Sequence, residues 1–205
     1  MTKYYTNIRV LTLRKYFKLI LLVFCLINVS SQTGLGINTV VIDPGHGGND
    51  HGKKIGSNKL KTEKAINLLI ANKLGQYLTQ NLPYVKVIYT RKDDRYLSLI
   101  KRCTIANKNN ATYFISIHCN SSSNRYVVGT ETHSHTKDFK KSLKLAQFIE
   151  TEFNKRARRK SRGIKTKRDR KHNLQVLYDT NMPSVLIECG FLSNKSEEIY
   201  LNSNY

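Results

Sequence analysis

The chain has 205 residues, 40% of them apolar, which is enough for one folded domain with a core but leaves no room for a second domain. Its formal net charge of +21 is extreme for this length and predicts an anionic partner or surrounding, such as nucleic acid, a membrane or an envelope polymer. Beyond residue 31 only three cysteines remain, with no CxxC pair, which excludes a complete disulfide framework and argues against a thiolate zinc site.

The N-terminal segment, residues 1–31, has the pattern of an export signal. Five Lys or Arg residues, with no acidic residue among them, precede a mostly apolar stretch over residues 19–29. Eleven residues are too few to span a membrane comfortably as a helix. Ser30 and Ser31 supply small residues for cleavage. We therefore predict a signal peptide and a location in the periplasm or cell envelope, with an uncleaved anchor as the alternative.

The next segment combines a short buried strand with a glycine-rich loop. Residues 40–42 form an apolar run, which Pro44 and the glycines at 45, 47 and 48 stop abruptly. His46 lies in that loop, where little side-chain bulk surrounds it. A histidine in this setting can approach a metal or a substrate closely, although a turn that contains a histidine by chance would give the same pattern.

A polar loop over residues 49–61 leads into an amphipathic helix. Thr62 is a candidate N-cap, and apolar residues follow at helical spacing as far as Leu78. Glu63 therefore falls in the first turn. Position alone favours an ordinary interpretation, in which this acidic residue stabilises the helix dipole.

Apolar patterning along the rest of the chain predicts four more strands, two more helices and one extended piece. His118 directly follows one of these strands and Glu188 ends the last. A basic segment over residues 155–171 contains eleven Lys or Arg and one acidic residue, and it is either a solvated helix end and loop or a surface for anionic envelope polymers. The predicted elements are strand 85–89, a helix capped by Ser98, strand 113–117, strand 127–132, helix 139–153, the extended piece 174–178 and strand 185–187.

This order of elements predicts an α/β fold, with a single domain over residues 38–202 and a central, largely parallel twisted sheet flanked by helices. In such sheets, functional sites form beyond the carboxyl ends of the strands. His46, His118 and Glu188 each lie at or just beyond such an end, and one shared site explains them better than three coincidences. Cys103, Cys119 and Cys189 are interpreted as small core side chains, with a Cys119–Cys189 bridge as the alternative.

The chemistry of these residues fits a metal-dependent hydrolase. Two imidazoles and a carboxylate are ligands that zinc uses, and zinc lowers the pKa of water to about 7. A separate carboxylate can then move the proton. His46, His118, Glu63 and Glu188 can fill this set, but the residue types alone leave other candidates open, namely Asp43, Asp50, His51, Asp94, Glu131, His133 and His135.

Residues 38–202 resemble the zinc-dependent N-acetylmuramoyl-L-alanine amidases of the amidase 3 type, which are cell-wall hydrolases. Six segments match in the right order, which is a far more specific signal than a lone Gly-His-Gly. The segments are VVIDPGHGG at 40–48, TEKAINL at 62–68, YTRKDD at 89–94, SLIKRCTIAN at 98–107, ISIHCN at 115–120 and MPSVLIECGFLSN at 182–194.

The resemblance implies a site and a substrate. Matched motif by motif, the zinc ligands fall on His46, Glu63 and His118, and the catalytic carboxylate falls on Glu188. The substrate is peptidoglycan, cleaved at the amide between N-acetylmuramic acid and L-alanine. The resemblance also suggests lesser roles: Asp43 shapes the loop, Arg91 and Asp94 form an ion pair, and Asn120 contacts glycan or peptide.

The region after the second histidine motif has room for only one ordinary helix between residues 133 and 163. We therefore expect an accessible site that needs no activator, and a monomer. Two other classes of function stay open. A catalytically idle relative could bind wall or regulate other hydrolases, but all four expected site residues are present. A nucleic-acid binder would fit the charge, but the export signal and the absence of Trp and of a nucleic-acid motif argue against such a partner.

Overall fold

Strands and helices alternate along the chain, as the sequence predicts. The computed structural model describes residues 36–53, 61–135 and 139–203, and the predicted signal peptide lies outside them. None of the described helices is both long and apolar enough to cross a membrane. The elements are β1 (Thr39–Pro44), α1 (Glu63–Asn81), β2 (Lys86–Tyr89), α2 (Leu99–Lys108), β3 (Tyr113–Asn120), β4 (Thr130–His133), α3 (Lys140–Lys155), β5 (Ser161–Lys165), α4 (Lys167–Arg170), α5 (Gln175–Tyr178), β6 (Ser184–Phe191) and α6 (Lys195–Asn202).

The six strands form one sheet in the order β2-β1-β3-β6-β4-β5. The first four are parallel to one another, β4 pairs antiparallel with β6, and β5 runs parallel to β4. This arrangement confirms the predicted α/β class with a largely parallel sheet. The carboxyl ends of β1, β3 and β6 lie side by side at one edge, which is where His46, His118 and Glu188 were expected to meet.

Helices cover both faces of the sheet, which explains why its central strands are continuous apolar runs. On one face, Ile42, Ile117 and Val185 belong to a core cluster that includes residues of α1 and α3. On the other, Val41, Phe114 and Leu186 pack with residues of α2 and α5. Cys103, Cys119 and Cys189 are buried free thiols, which confirms their interpretation as core side chains.

Two predicted elements were wrong. Residues 174–178 were predicted to be extended, but Gln175–Tyr178 forms a helical turn that buries the adjacent Val176 and Leu177 together, whereas an extended strand would point them to opposite sides. The basic segment was predicted to be a helix end and loop, but it contains β5, which lies at the edge of the sheet, where charged side chains are tolerated. Strand β4 also begins three residues later than predicted, at Thr130.

Between β4 and β5 the described residues contain one helix, α3, as expected from the length of that segment.

Helix α1 begins at Glu63, and Thr62 occupies the N-cap position without a side-chain capping hydrogen bond, so its predicted capping role is wrong. Helix α2 is capped as predicted, because the Ser98 hydroxyl accepts a hydrogen bond from the Lys101 amide at 3.3 Å.

Candidate metal centre

His46 lies in the loop that follows β1, with a backbone φ of 61°. The loop continues the sheet, since the Gly45 amide donates to the Ile117 carbonyl at 2.9 Å. A Cβ atom at position 45 would lie 2.2 Å from the His118 ring, so only glycine lets the two histidines approach. Their ring centroids are 4.8 Å apart in an edge-to-face arrangement.

Glu63 brings a buried carboxylate to the same place from the first turn of α1. Its Oε1 lies 3.0 Å from Nε2 of His46 and 3.2 Å from Nδ1 of His118. The backbone amides of Lys53 and Cys119 also donate to this carboxylate. With a residue exposure of only 3%, Glu63 faces this cluster, and the ordinary interpretation of a first-turn acid that stabilises the helix dipole does not account for these contacts.

The electrostatics of the three side chains are coupled. Burial opposes ionisation of Glu63, but hydrogen bonds and charge from His118 and His46 outweigh it and hold the pKa of the carboxyl well below its usual range. Burial likewise opposes the charged form of His46, but Glu63 and Asp50 raise the pKa of the imidazole. The cluster therefore holds a carboxylate between two imidazoles near neutral pH.

Candidate ligand atoms of His46, Glu63 and His118 all lie within 4.8 Å of one another, which makes the cluster a possible metal site. Two imidazole nitrogens and a carboxylate oxygen are a donor set suited to zinc. Nδ1 of His46 lies 2.8 Å from Oδ2 of Asp50, which orients the ring and leaves Nε2 directed at Glu63. A carboxylate behind a ligating histidine is the usual outer support of a zinc site, so the residues present fit such an ion.

Asp43 lies beneath the His46 loop and holds it in place. Its carboxylate accepts hydrogen bonds from Thr90 and Ser116 and forms an almost fully buried ion pair with Arg102, at 2.8 Å. The Arg102 guanidinium also donates to the carbonyls of Pro44 and His46. These bonds use the carboxylate for loop structure, in agreement with the role that the resemblance implied.

Arg91 and Asp94 do not form the expected ion pair. The buried Arg91 guanidinium donates to the backbone carbonyls of Pro44, Gly45, Lys64 and Asp93. Asp94 instead pairs with Lys64 at 2.6 Å, on the surface. Arginine matches several carbonyls at once because its donors are arranged as a planar fork, and sequence patterning does not distinguish this from a charge pair.

Glu188 lies on β6 in register with His118 on β3, so that the two side chains share one face of adjacent strands. Its Oε2 is buried and has no hydrogen-bond partner in the part of the chain that the structure describes. Burial, with the charges of Glu63 and Glu131, raises the pKa of the Glu188 carboxyl to about 8. A carboxyl poised near neutral pH beside a candidate metal site can both take up and release a proton.

The structure assigns other surroundings to the remaining candidates. His51 is exposed, and His135 packs against the rings of Phe139 and Tyr178. Burial and the charge of Arg170 lower the pKa of His133 to about 3. Glu131 pairs with Arg162, and Asn120 donates to Glu131 at 3.3 Å. Sequence reasoning missed Arg102 and Arg162. In the sequence, Arg102 is only one basic residue on a predicted helix, and Arg162 is only one of many in the basic segment.

A cavity of about 300 Å³ opens beside the two histidines. Apolar side chains from two segments line much of it, including Leu97 and Leu174, and Gln175 adds a polar group. Its floor is the sheet, at Asp43 and Leu186. The candidate metal centre therefore has space next to it for part of a substrate.

Comparison with known proteins gives one consistent family. The chain is similar to a crystal structure of N-acetylmuramoyl-L-alanine amidase from Clostridium difficile 630, with 38% identity, a TM-score of 0.74, and 81% of this chain and 86% of that one covered. The catalytic domain of the amidase CwlV from Bacillus (Paenibacillus) polymyxa var. colistinus is 36% identical, with a TM-score of 0.67 and coverage of 81% and 87%.

A relative known from sequence is longer. The probable cell wall amidase LytH of Staphylococcus epidermidis is 34% identical over 181 residues, which are 86% of this chain but 57% of that protein. The family described as Amidase_3, N-acetylmuramoyl-L-alanine amidase, matches residues 40–205, a range that contains His46, Glu63 and His118. On this match and on the shared fold, the chain belongs to the Amidase_3 family of N-acetylmuramoyl-L-alanine amidases.

Proposed function

We propose that this chain hydrolyses the amide between N-acetylmuramic acid and L-alanine in peptidoglycan, with zinc as its metal. The observation that carries the proposal is the convergence of His46, Glu63 and His118, with Glu188 on the neighbouring strand, in a member of a family of such amidases. The cell-wall amidases among its relatives support the same substrate.

Zinc held by His46, Glu63 and His118 would supply a water with a pKa of about 7 and an electrophile for the scissile carbonyl. The chain's own residues do the rest of the chemistry. Glu188 accepts the proton of the attacking water and later delivers it to the departing L-alanine nitrogen. Burial of its carboxyl, which disfavours the charged form, favours the protonated state that Glu188 must hold between the two steps. The cavity beside the histidines receives the part of the substrate that adjoins the bond.

The N-terminal 31 residues are proposed to direct export, so that the domain over residues 38–202 acts in the periplasm or cell envelope as a monomer. The site is proposed to work without an activator, because the described residues between β4 and β5 contain only helix α3. Activity that appears only after a partner is added would contradict this.

The basic segment is proposed to contact anionic envelope polymers. Four of its arginines are engaged within the fold, namely Arg156, Arg159, Arg162 and Arg170. Six other basic residues are exposed, namely Lys155, Arg158, Lys160, Lys167, Arg168 and Lys171. Contacts through exposed charges weaken as salt screens them. Binding to purified cell walls should therefore fall steeply between 0.05 and 0.5 M salt, whereas unchanged binding would rule out charge as its cause.

The decisive experiment is mass analysis of the products released from peptidoglycan by the zinc-loaded protein. Free stem peptides that begin with L-alanine are expected, together with glycan strands that have intact lactyl groups. The Glu188→Gln protein should bind the same amount of zinc as wild type and release no stem peptides. If the wild-type protein binds walls but releases no stem peptide, the alternative of a catalytically idle relative is favoured instead.

A further inference from the structure

Strand β4 carries a buried carboxylate, Glu131, directly opposite Glu188 in the antiparallel pair with β6. Facing side chains in such a pair have Cβ atoms about 4.5–5.5 Å apart, and like charges there destabilise the sheet. Burial of a carboxylate adds a further cost. A residue that violates two rules of stability at one position is expected where function requires it.

Both oxygens of Glu131 are held, from opposite sides. Oε1 accepts a hydrogen bond from Nε of Arg162 on β5 at 2.7 Å, and Oε2 accepts one from Nδ2 of Asn120 on β3 at 3.3 Å. Because β6 lies between β3 and β4 in the sheet, the bond from Asn120 to Glu131 passes across β6. Asn120, Glu131 and Arg162 therefore form a bridge over the strand that carries Glu188, and we call these three residues the polar bridge.

The polar bridge limits where the Glu188 carboxylate can lie. Glu188 has His118 on one neighbouring strand and Glu131 on the other. Among the described residues its buried Oε2 has no hydrogen-bond partner, so no such bond fixes this oxygen in place. The Arg162 contact fixes Glu131 on the β4 side, where its bulk occupies the space into which Glu188 could turn. On the other side of Glu188, β3 carries His118.

We propose that Glu131, held by Arg162 and Asn120, is a positioning residue that keeps the Glu188 carboxylate turned toward the candidate metal centre. The inference rests on the proposed function, in which Glu188 transfers the proton. Glu188 must contact the attacking water and then the leaving nitrogen, so the reaction slows when its carboxylate is less well aligned. A misplacement of about 1 Å can lower the rate about a hundredfold.

The test compares Glu131→Ala and Glu131→Gln with the wild-type protein, all loaded with zinc. For Glu131→Ala we expect kcat for release of stem peptides to fall about 10- to 100-fold, with KM changed less than about twofold. Glutamine keeps the size of the side chain and an acceptor for Arg162, so Glu131→Gln should recover part of the lost kcat. A purely structural role would not produce this difference at equal zinc content.

Glu150 provides a matched control on the opposite face of the same strands. This buried carboxylate, on α3, accepts hydrogen bonds from the Thr132 hydroxyl at 2.6 Å and the Thr130 hydroxyl at 3.2 Å. Glu150→Gln should lower the unfolding midpoint while kcat stays at the wild-type value. If the kcat of the Glu131 variants fell only in proportion to their stability, as for any destabilised protein, the positioning role would be overturned.

A crystal structure of zinc-loaded Glu131→Ala gives a readout that does not depend on activity. We expect the Glu188 side chain to turn toward β4, into the space left by Glu131. An unmoved Glu188, or a Glu131→Ala protein as active as wild type, would overturn the inference and leave the proposed function intact. An inactive wild-type protein would instead defeat the proposed function, and the position of Glu188 in the variant would still decide the inference.

Discussion

Two buried glutamates lie on the two long helices that cover one face of the sheet, and their surroundings differ. Glu63, on α1, lies within 3.2 Å of two imidazole nitrogens. Glu150, on α3, accepts hydrogen bonds from the hydroxyls of Thr130, Thr132 and Ser161. Hydroxyls donate the hydrogen bonds that a buried carboxylate needs, but they are weaker metal ligands than imidazoles. Imidazoles can donate such bonds and can also bind a metal ion. Burial of an acidic residue therefore does not identify a site, but the chemistry of its partners does.

The largest effect is expected from Glu63→Gln, which keeps the shape of the side chain but removes its charge. Replacement of outer supporting residues of a metal site costs about 10- to 100-fold in metal affinity, so loss of a ligand should cost more than about a hundredfold. Zinc content after dialysis, measured by mass spectrometry, and release of stem peptides should both fall to background.

Glu150→Gln sharpens the comparison, because it makes the same chemical change in the carboxylate that is bonded to hydroxyls. It should retain one zinc per chain through the same dialysis. If Glu63→Gln also retained stoichiometric zinc, the distinction between the two glutamates would be wrong, and the ligand assignment with it.

The sequence predicted the fold and most of this site because both depend on short-range patterns. Continuous apolar runs located β1, β3 and β6, and a site at the carboxyl ends of parallel strands follows from topology. Glu63 was different, since its position in a first turn favoured an ordinary role until the family resemblance was considered. Its approach to His46 and His118 depends on how α1 docks on the sheet, which local patterning does not contain.

The next effect concerns the ion pair beneath the site. Asp43→Ala leaves the Arg102 guanidinium buried without its carboxylate, and loss of one partner of a buried pair typically costs about 3–5 kcal/mol. Urea unfolding of the metal-free protein should show this loss, and kcat should also fall, because Arg102 holds the carbonyl of His46.

Asp93→Ala is the control for that measurement. Asp93 pairs with Arg95 on the surface, where both side chains are more than half exposed. Solvent and salt screen such pairs, so the unfolding midpoint should hardly change. Equal destabilisation by Asp43→Ala and Asp93→Ala would show that burial of the Asp43–Arg102 pair has no special weight in this fold.

The arginines mark the limit of what the sequence could predict. Arg91 was expected to pair with Asp94, yet it donates to four backbone carbonyls, and Arg102 and Arg162 were not singled out at all. A charged residue shows no periodic pattern that tells a solvent-facing position from a buried one. Its role is decided by which loop or strand edge packs above it, as with Arg162 on the unpredicted strand β5.

A smaller effect should appear in acid, at the histidine on the opposite side of Glu188 from the cluster. Burial and the nearby Arg170 lower the pKa of His133 to about 3 from its usual 6.5, so the folded state keeps it neutral. The unfolded chain binds a proton there below pH 6.5, and stability should fall by about 2 kcal/mol between pH 7 and pH 5 on this account. Well above pH 6.5 His133 is neutral in both the folded and the unfolded chain, so this loss of stability is absent there.

His133→Asn should remove that part of the acid destabilisation, measured as the difference in unfolding free energy between the two pH values. His172→Asn, at an exposed position, serves as the control and should follow the wild-type curve. If His133→Asn lost as much stability in acid as wild type, then His133 would not be held neutral in the folded protein, and its contrast with His46, whose pKa is raised, would disappear.

The smallest effect separates the N-termini of α1 and α2, where the sequence offered a candidate cap in each case. Ser98 accepts a hydrogen bond from the Lys101 amide, and Ser98→Ala should cost about 1 kcal/mol. Thr62 makes no side-chain capping bond, so Thr62→Ala should cost clearly less in the same urea titration. The first turn of α1 is instead tied down through Glu63, whose carboxylate receives the amides of Lys53 and Cys119. An equal loss for the two variants would mean that Thr62 does cap α1 in solution.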